Sequence, residues 1–184
     1  MEDYRIVRAD ESDVKTIESI ARRTWPDAYA DLIPAPQIDY MLDLMYAPAA
    51  IIKQMADGIL FNLLLETEND FPANNGNSYS GRGNRFRAVG FSGHEYNYEP
   101  GTTKLHKLYV LPGTQGKGYG RKLIRKVERQ ARYEGQRRLR LDVNYQNPAL
   151  EFYEHLGFRK LRRHDTEIGH GYLMEDWQLE KGLG

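Results

Sequence analysis

The sequence predicts an α/β (α+β mixed sheet) chain in which helices cover both faces of one central sheet. Three observations carry this. Strand-like and helix-like segments follow one another in the order β-α-α-β-β-β-α-β-α-β-β, which fits a sheet with parallel and antiparallel neighbours. Twice an apolar strand segment passes through a turn into a helix, after residues 105–111 and after residues 139–143. The chain has 184 residues, 40% of them hydrophobic, enough for one substantial core and no second one, so 1–184 reads as a single domain.

The elements follow in chain order. Residues 3–8 alternate as a first strand. Asp10 is placed to cap a helix whose Val14, Ile17, Ala21 and Trp25 share one face, and Pro26 is expected to end it. Ile38, Met41, Leu42 and Met45 recur at helical spacing, so a second helix follows Pro36, with a short third over 48–55. Gly58 introduces a strand at 59–66, and residues 86–92 read as the next. Between them, 67–84 is rich in Asn, Gly and Ser and longer than an ordinary hairpin loop, so it reads as a loop. A strand at 105–111 precedes an amphipathic helix at 121–133, and Leu139, Leu141 and Val143 alternate as the strand after Gly135. Asn147-Pro148 opens another helix, with Pro at its first position and Gly157 as its C-terminal cap. Strands at 158–163 and 172–179 close the sheet.

Composition excludes several chemistries. Without cysteine there is no disulfide, no thiolate metal site and no covalent acyl-cysteine intermediate. No His pair or carboxylate cluster has metal-ligand spacing, so no metal is expected. Residues 1–13 are too polar for a secretory leader and no apolar run reaches membrane-spanning length, so the default expectation is a cytoplasmic protein with no membrane partner. Net charge is zero but uneven: residues 1–80 carry 6 Lys/Arg against 14 Asp/Glu, and residues 81–184 carry 20 against 12. The basic half lacks interleaved aromatics, so no nucleic acid is expected; a polyanionic small ligand suits it better.

The run Gln115-Gly116-Lys117-Gly118-Tyr119-Gly120 sits between the 105–111 strand and the helix that follows. A glycine loop opening a helix makes an anion site, because the first helical N–H groups lack partners and glycine lets the backbone approach a phosphate. It is no P-loop, since Tyr119 stands where Lys-Ser/Thr would follow, and no dinucleotide fingerprint, since Arg121 replaces the third glycine. The spacing Gln-x-x-Gly-x-Gly resembles the pyrophosphate loop of the GNAT N-acetyltransferase superfamily. Some two dozen residues on, Val143-Asn144-Tyr145-Gln146-Asn147-Pro148 and the helix with Tyr153 leading to Gly157-Phe158 resemble that family's second signature. The resemblance covers residues 85–180 well and 1–66 in outline.

The resemblance implies the GNAT acyl-CoA N-acyltransferase fold and acetyl-coenzyme A as co-substrate, attacked directly by a small-molecule amine; relatives in the family often pair as homodimers. Residues 115–121, through Arg121, would hold the diphosphate. Leu108, Tyr109 and Val110 would serve through their backbone, polarising the thioester and holding the pantetheine where this strand splays from its parallel neighbour. Tyr153 would protonate the leaving thiolate, although on helix geometry alone it is an aromatic packing over Phe158. Asn147 would bond the pantetheine, and equally suits a helix N-cap. Many relatives place a Glu on the strand before the loop; here Lys104, His106 and Lys107 stand there. His106 is then the candidate base, against an alternative as a surface histidine, with His94 and Glu95 in reserve.

Residues 24–34, with 37–46, resemble the acceptor region of bacterial spermidine/spermine N-acetyltransferases. Trp25, Asp27, Tyr29 and Asp31 would receive a cationic amine through charge and cation–π contacts, with residues 1–66 as the acceptor side. Protein N-acetylation and a non-catalytic acyl-CoA-binding module stay open as alternatives.

Overall fold

The structure is a computed structural model that describes residues 4–67, 78–81, 84–114 and 116–184. Its strands are β1 (Tyr4–Arg8), β2 (Leu60–Thr67), β3 (Ser78–Gly81), β4 (Asn84–Glu99), β5 (Thr102–Val110), β6 (Arg138–Asn144), β7 (Arg159–Gly169) and β8 (Tyr172–Gly182). The helices are α1 (Val14–Tyr29), α2 (Ala35–Tyr46), α3 (Pro48–Ala56), α4 (Tyr119–Tyr133) and α5 (Ala149–His155). Strand order is β1-β2-β4-β5-β6-β8-β7, with β3 paired to β4. The sheet is mixed, because β5 and β6 run parallel while the other paired strands run antiparallel. Among the described residues no helix is long and apolar enough to cross a membrane.

Two apolar clusters hold the helices to the sheet. In one, Ile17, Ile20 and Trp25 of α1 and Met41 and Tyr46 of α2 meet Phe61 and Phe91. In the other, Ile124 and Val127 of α4 and Tyr153 of α5 meet Leu139, Leu141 and Leu179. The alternate β6 side chains, Arg140 and Asp142, therefore face away from α4 and α5.

One irregularity decides the centre of the sheet. β5 and β6 pair only from Thr102↔Arg138 to Leu105↔Leu141. Beyond that β5 continues beside β4 to Val110, and β6 beside β8 to Asn144. At the parting point Gly93 faces Lys107 and His94 faces Leu105, leaving His106 as the extra residue of a β-bulge. The bulge resets the alternation, so Lys107 and Tyr109 reach the α1–α2 side, where the Lys107 ammonium lies 4.8 Å from the Tyr46 ring centre.

Several expected boundaries move. Helix α1 runs through Pro26 to Tyr29: the proline falls in the last turn, where its missing N–H costs one bond, and Ala30 still donates to the Pro26 carbonyl at 3.1 Å. Its start is a 3-10 turn, Glu11–Asp13, closed by a capping box between Asp10 and Asp13. Strand β4 reaches Glu99, well past 92, because pairing with β5 resumes across a second irregularity to Glu99↔Thr102. Pro148 stands at the cap of α5, one place before its first residue. Of the segment read as a loop, residues 78–81 form β3; residues 68–77, 82 and 83 lie outside the described residues.

Gly90 lets β4 lie close to β5 at the parting. A Cβ there would sit 2.9 Å from the Tyr109 carbonyl oxygen and 3.2 Å from a Val110 methyl. Gly90→Ala is expected to cost about 1–3 kcal/mol of unfolding free energy, as overpacking does, read by urea denaturation.

Candidate active site

The parted strands open into a cleft of about 730 Å³ between α1, α2, β5, β6, α5 and β8. Leu111 donates its N–H to the Val89 carbonyl at 2.8 Å. Strand alternation then turns the N–H groups of Leu108 and Val110 away from β4 and into the gap. Leu108, Tyr109 and Val110 all line the cleft.

At the far end of β5 the glycine loop leads into α4. Gly116 and Gly118 take φ of 82° and 67°, and nothing lies within 4 Å of where a Cβ would stand on either. Both are therefore required by conformation, and both leave an open face. Gly118 caps α4 and no side chain caps that helix, so its first N–H groups present an anion-binding end. Gly120 serves differently: a Cβ there would come within 3.3 Å of the Phe152 ring, so it lets α4 pack on α5. Gln115 lies outside the described residues. Arg121 is exposed on the first turn of α4.

Lys117 and Tyr119 point elsewhere. Glu66 of β2 accepts from the Lys117 ammonium, from the Tyr119 hydroxyl at 2.7 Å and from Arg87 at 3.0 Å. Burial works against the charged Glu66, but these three donors hold its carboxyl below the usual range. The loop is thereby fastened to the sheet.

Tyr153 is buried between Phe152 and Phe158, with ring centres 5.2 and 5.8 Å away, and lines the cleft. Its hydroxyl makes no hydrogen bond among the described residues, and burial first, then Tyr29, pushes its pKa well up, so it stays protonated. Asn147 accepts from the Ala149 N–H at 2.9 Å, closing a turn just ahead of α5 whose cap is Pro148, and also lines the cleft. Trp25, Asp27 and Tyr29 line the cleft, whereas Asp31 is exposed and not among the lining residues. Trp25 is 2% exposed and packs on Tyr29 at 4.4 Å, and the Tyr29 and Tyr109 hydroxyls stand 3.1 Å apart.

His106 reaches the cleft from the bulge, and its Nε2 lies 3.3 Å from Glu95. Burial lowers its pKa although Glu95 pulls the other way, so the ring is neutral at pH 7. His94 is fully buried, does not line the cleft, and is pushed down to about 4, chiefly by burial.

Three further groups have surroundings that the sequence does not show, and one of them, Asp176, has no sequence signal at all. Lys104 is buried yet donates to Asp142 at 2.5 Å, and Gln178 holds the other Asp142 oxygen at 3.4 Å. Lys107 is buried and its pKa falls to about 8 by desolvation. Asp176, opposite Asn144 in register, is 6% exposed and lines the cleft. None has a local motif; only strand register brings them together. Burial, and secondly Asp142, pushes Asp176 up to about 7. A carboxyl raised on folding favours the protonated native state, so stability falls as pH rises from about 4 through 7. Asp176→Asn should match the parent at pH 4 and exceed it by roughly 4 kcal/mol at pH 8, checked by denaturation at both pH values.

Comparison with known proteins agrees with this geometry. Residues 17–158 match the acetyltransferase (GNAT) family. A curated relative, an uncharacterized N-acetyltransferase of Methanocaldococcus jannaschii, is 35% identical over 71 residues, which is 38% of this chain and 29% of that one. The match thus spans under a third of the relative's length. A PaiA N-acetyltransferase of Thermoplasma acidophilum, solved with coenzyme A, superposes with TM-score 0.74 at 20% identity, covering 97% of this chain and 98% of that one. A spermidine N-acetyltransferase chimera of Vibrio cholerae SpeG and hSSAT gives TM-score 0.64 at 16% identity over 99% and 96%. With the family match spanning residues 17–158 and the same fold in these structures, the chain belongs to the GNAT acetyltransferase family.

Proposed function

We propose that the protein transfers acetyl from acetyl-coenzyme A to the primary amine of a small cationic acceptor. The observation that carries this is the parting of β5 from β6 into a cleft that also holds the Tyr153 hydroxyl, with an open glycine loop and uncapped helix at the end of β5. These residues fit the co-substrate. The α4 N-terminus with Gly116 and Gly118 suits its diphosphate, and the Leu108 and Val110 amides suit its amide-bearing arm. Bound there, acetyl-coenzyme A supplies an activated acyl carbon and a thiolate leaving group.

The chain's own groups do the rest. The amides of Leu108 and Val110 stand ready to stabilise negative charge on the carbonyl oxygen. Neutral His106, held by Glu95, accepts a proton from the attacking nitrogen, directly or through one water. Tyr153 keeps its proton until a desolvated thiolate, a stronger base than in water, takes it. The cleft fixes amine and acyl carbon together, which removes most of the entropic barrier to their encounter.

For the acceptor, Asp27 at the mouth and the aromatic wall of Trp25 and Tyr29 support a cation, with polyamines as one candidate. The spermidine enzyme chimera shares the fold at an identity that leaves the acceptor open. Turnover of spermidine, a lysine peptide and a simple alkylamine, followed by thiol release, ranks them; inertness of all polyamines removes that candidate.

Tyr153→Phe should lower kcat about 100-fold or more while coenzyme A affinity by calorimetry stays within about threefold. Unchanged turnover would sink the assignment. Since burial lowers the His106 pKa, the kcat of the parent should fall with acid only below about pH 6.5, and His106→Gln should lower kcat and abolish that limb.

A further inference from the structure

The sheet face turned away from α4 and α5 carries a row of charges, and all but one carboxylate in it is answered. Arg140 pairs with Glu99 and with Glu180, each at 2.6 Å. One rung along, Asp142 is held by Lys104 and Gln178. The next rung is Asp176, directly across from Asn144 on β6 and His164 on β7. It makes no hydrogen bond or ion pair among the described residues, although it is 94% buried by its 6% exposure and faces the substrate cleft. A buried carboxylate is costly without a cation, and the neighbouring lysine already serves Asp142. In the free protein protonation relieves that cost, and because Asp176 lines the cleft, a cation that would ionise it reaches it from there.

We propose that Asp176 is the anchor for the acceptor's ammonium group, and that the acceptor carries this ammonium on an unbranched aliphatic stem. This rests on the transferase reading of the same cleft. The stem follows from the wall of the cleft that Asp176 shares, where Met41, Met45, Met174 and Leu173 offer pliable apolar surface with no charge of their own. The ion pair holds the ammonium until one of its protons passes to His106; the freed amine lone pair then forms the C–N bond as the C–S bond breaks, the thiolate takes the Tyr153 proton, and the surplus proton on nitrogen returns to the tyrosinate. Lys104 and Asp142 position the site by leaving Asp176 as the uncompensated charge. Removing one partner of a buried pair strands the other, so the loss on substitution is large.

The groups facing Asp176 set its pH response. Asp142 from β6 and Asp165 from β7 favour its protonation, while Lys104 from β5 and Arg163 from β7 oppose it. Asp176 in turn raises the Tyr29 phenol of α1. His164 of β7 lies across the rung, Lys107, His106 and Asp27 share the cleft, and the α2 wall brings no charge. Acid should therefore discharge the anchor near pH 7, while the alkylamine stays protonated throughout.

The test is calorimetric titration of n-pentylamine into protein with and without coenzyme A, where no transfer occurs, alongside 1-pentanol as an uncharged control. The wild type should bind the amine at pH 8 and lose roughly tenfold affinity per pH unit below about 7. Asp176→Asn should bind the amine about 100-fold more weakly, without that pH slope, and bind pentanol as the parent does. Asp176→Glu should restore part of the amine affinity. Amine binding by Asp176→Asn within threefold of wild type, or no amine binding by wild type at pH 8, overturns the anchor. A wild type that binds amine but neither binds coenzyme A nor acetylates overturns the transferase reading and leaves the anchor standing.

Discussion

Everything in the cleft depends on β5 and β6 abandoning each other after Leu105 and Leu141. Two parallel strands that stop pairing leave N–H and C=O groups pointing into the gap, and such groups cost about 1–3 kcal/mol each when left buried and unmet. The fold tolerates this because both strands keep their outer partners, β4 and β8, and because the gap opens to a cleft where water or a ligand amide can replace the lost bonds. The bulge at His106 marks the parting point. One extra residue brings a histidine to the cleft, sends Lys107 and Tyr109 to the α1–α2 side, and interrupts the alternation in the same step.

Around that gap, burial governs the proton chemistry. Tyr29, Tyr46, Tyr109 and Tyr153 are all raised first by desolvation, so the phenols in and around the cleft are held as neutral donors. The same desolvation lowers His106 and Lys107 and raises Asp176. Desolvation thus keeps the phenols protonated and draws the Lys107 and Asp176 titrations toward neutral pH.

Much of the fold was legible because it depends on local chemistry. Glycine at 116 and 118 announced a left-handed loop, the apolar spacing of Val14, Ile17, Ala21 and Trp25 announced α1, and alternation at 139, 141 and 143 announced β6. What stayed illegible depends on register. Asp142 and Asp176 lie 34 positions apart in sequence and meet through the pairing of β6 with β8, which no local pattern encodes. The ends of β4 were hidden for the same reason: Tyr96 and Asn97 have no strand-like alternation, and pairing with β5 rather than propensity carries the strand to Glu99. At Pro26 a strong local rule gave way to the packing of Trp25 and Tyr29 on either side.

Charge near the glycine loop shows most clearly how sequence and site differ. The basic residues there look like a ready counter-ion for diphosphate, yet Lys117 is committed to Glu66 and the Lys122 ammonium lies 3.9 Å from the Tyr4 ring centre. Two cations fixed to the sheet cannot also close on a ligand without giving up those contacts. On the function proposed above, anion recognition at this loop would fall mainly to the backbone: amides held in place by Gly116 and Gly118, at the end of a helix whose dipole points the right way. Lys117 contributes by fastening the loop to β2, so the amides are already set before a ligand arrives. A site built from fixed amides depends on where the glycines stand more than on how many lysines surround them.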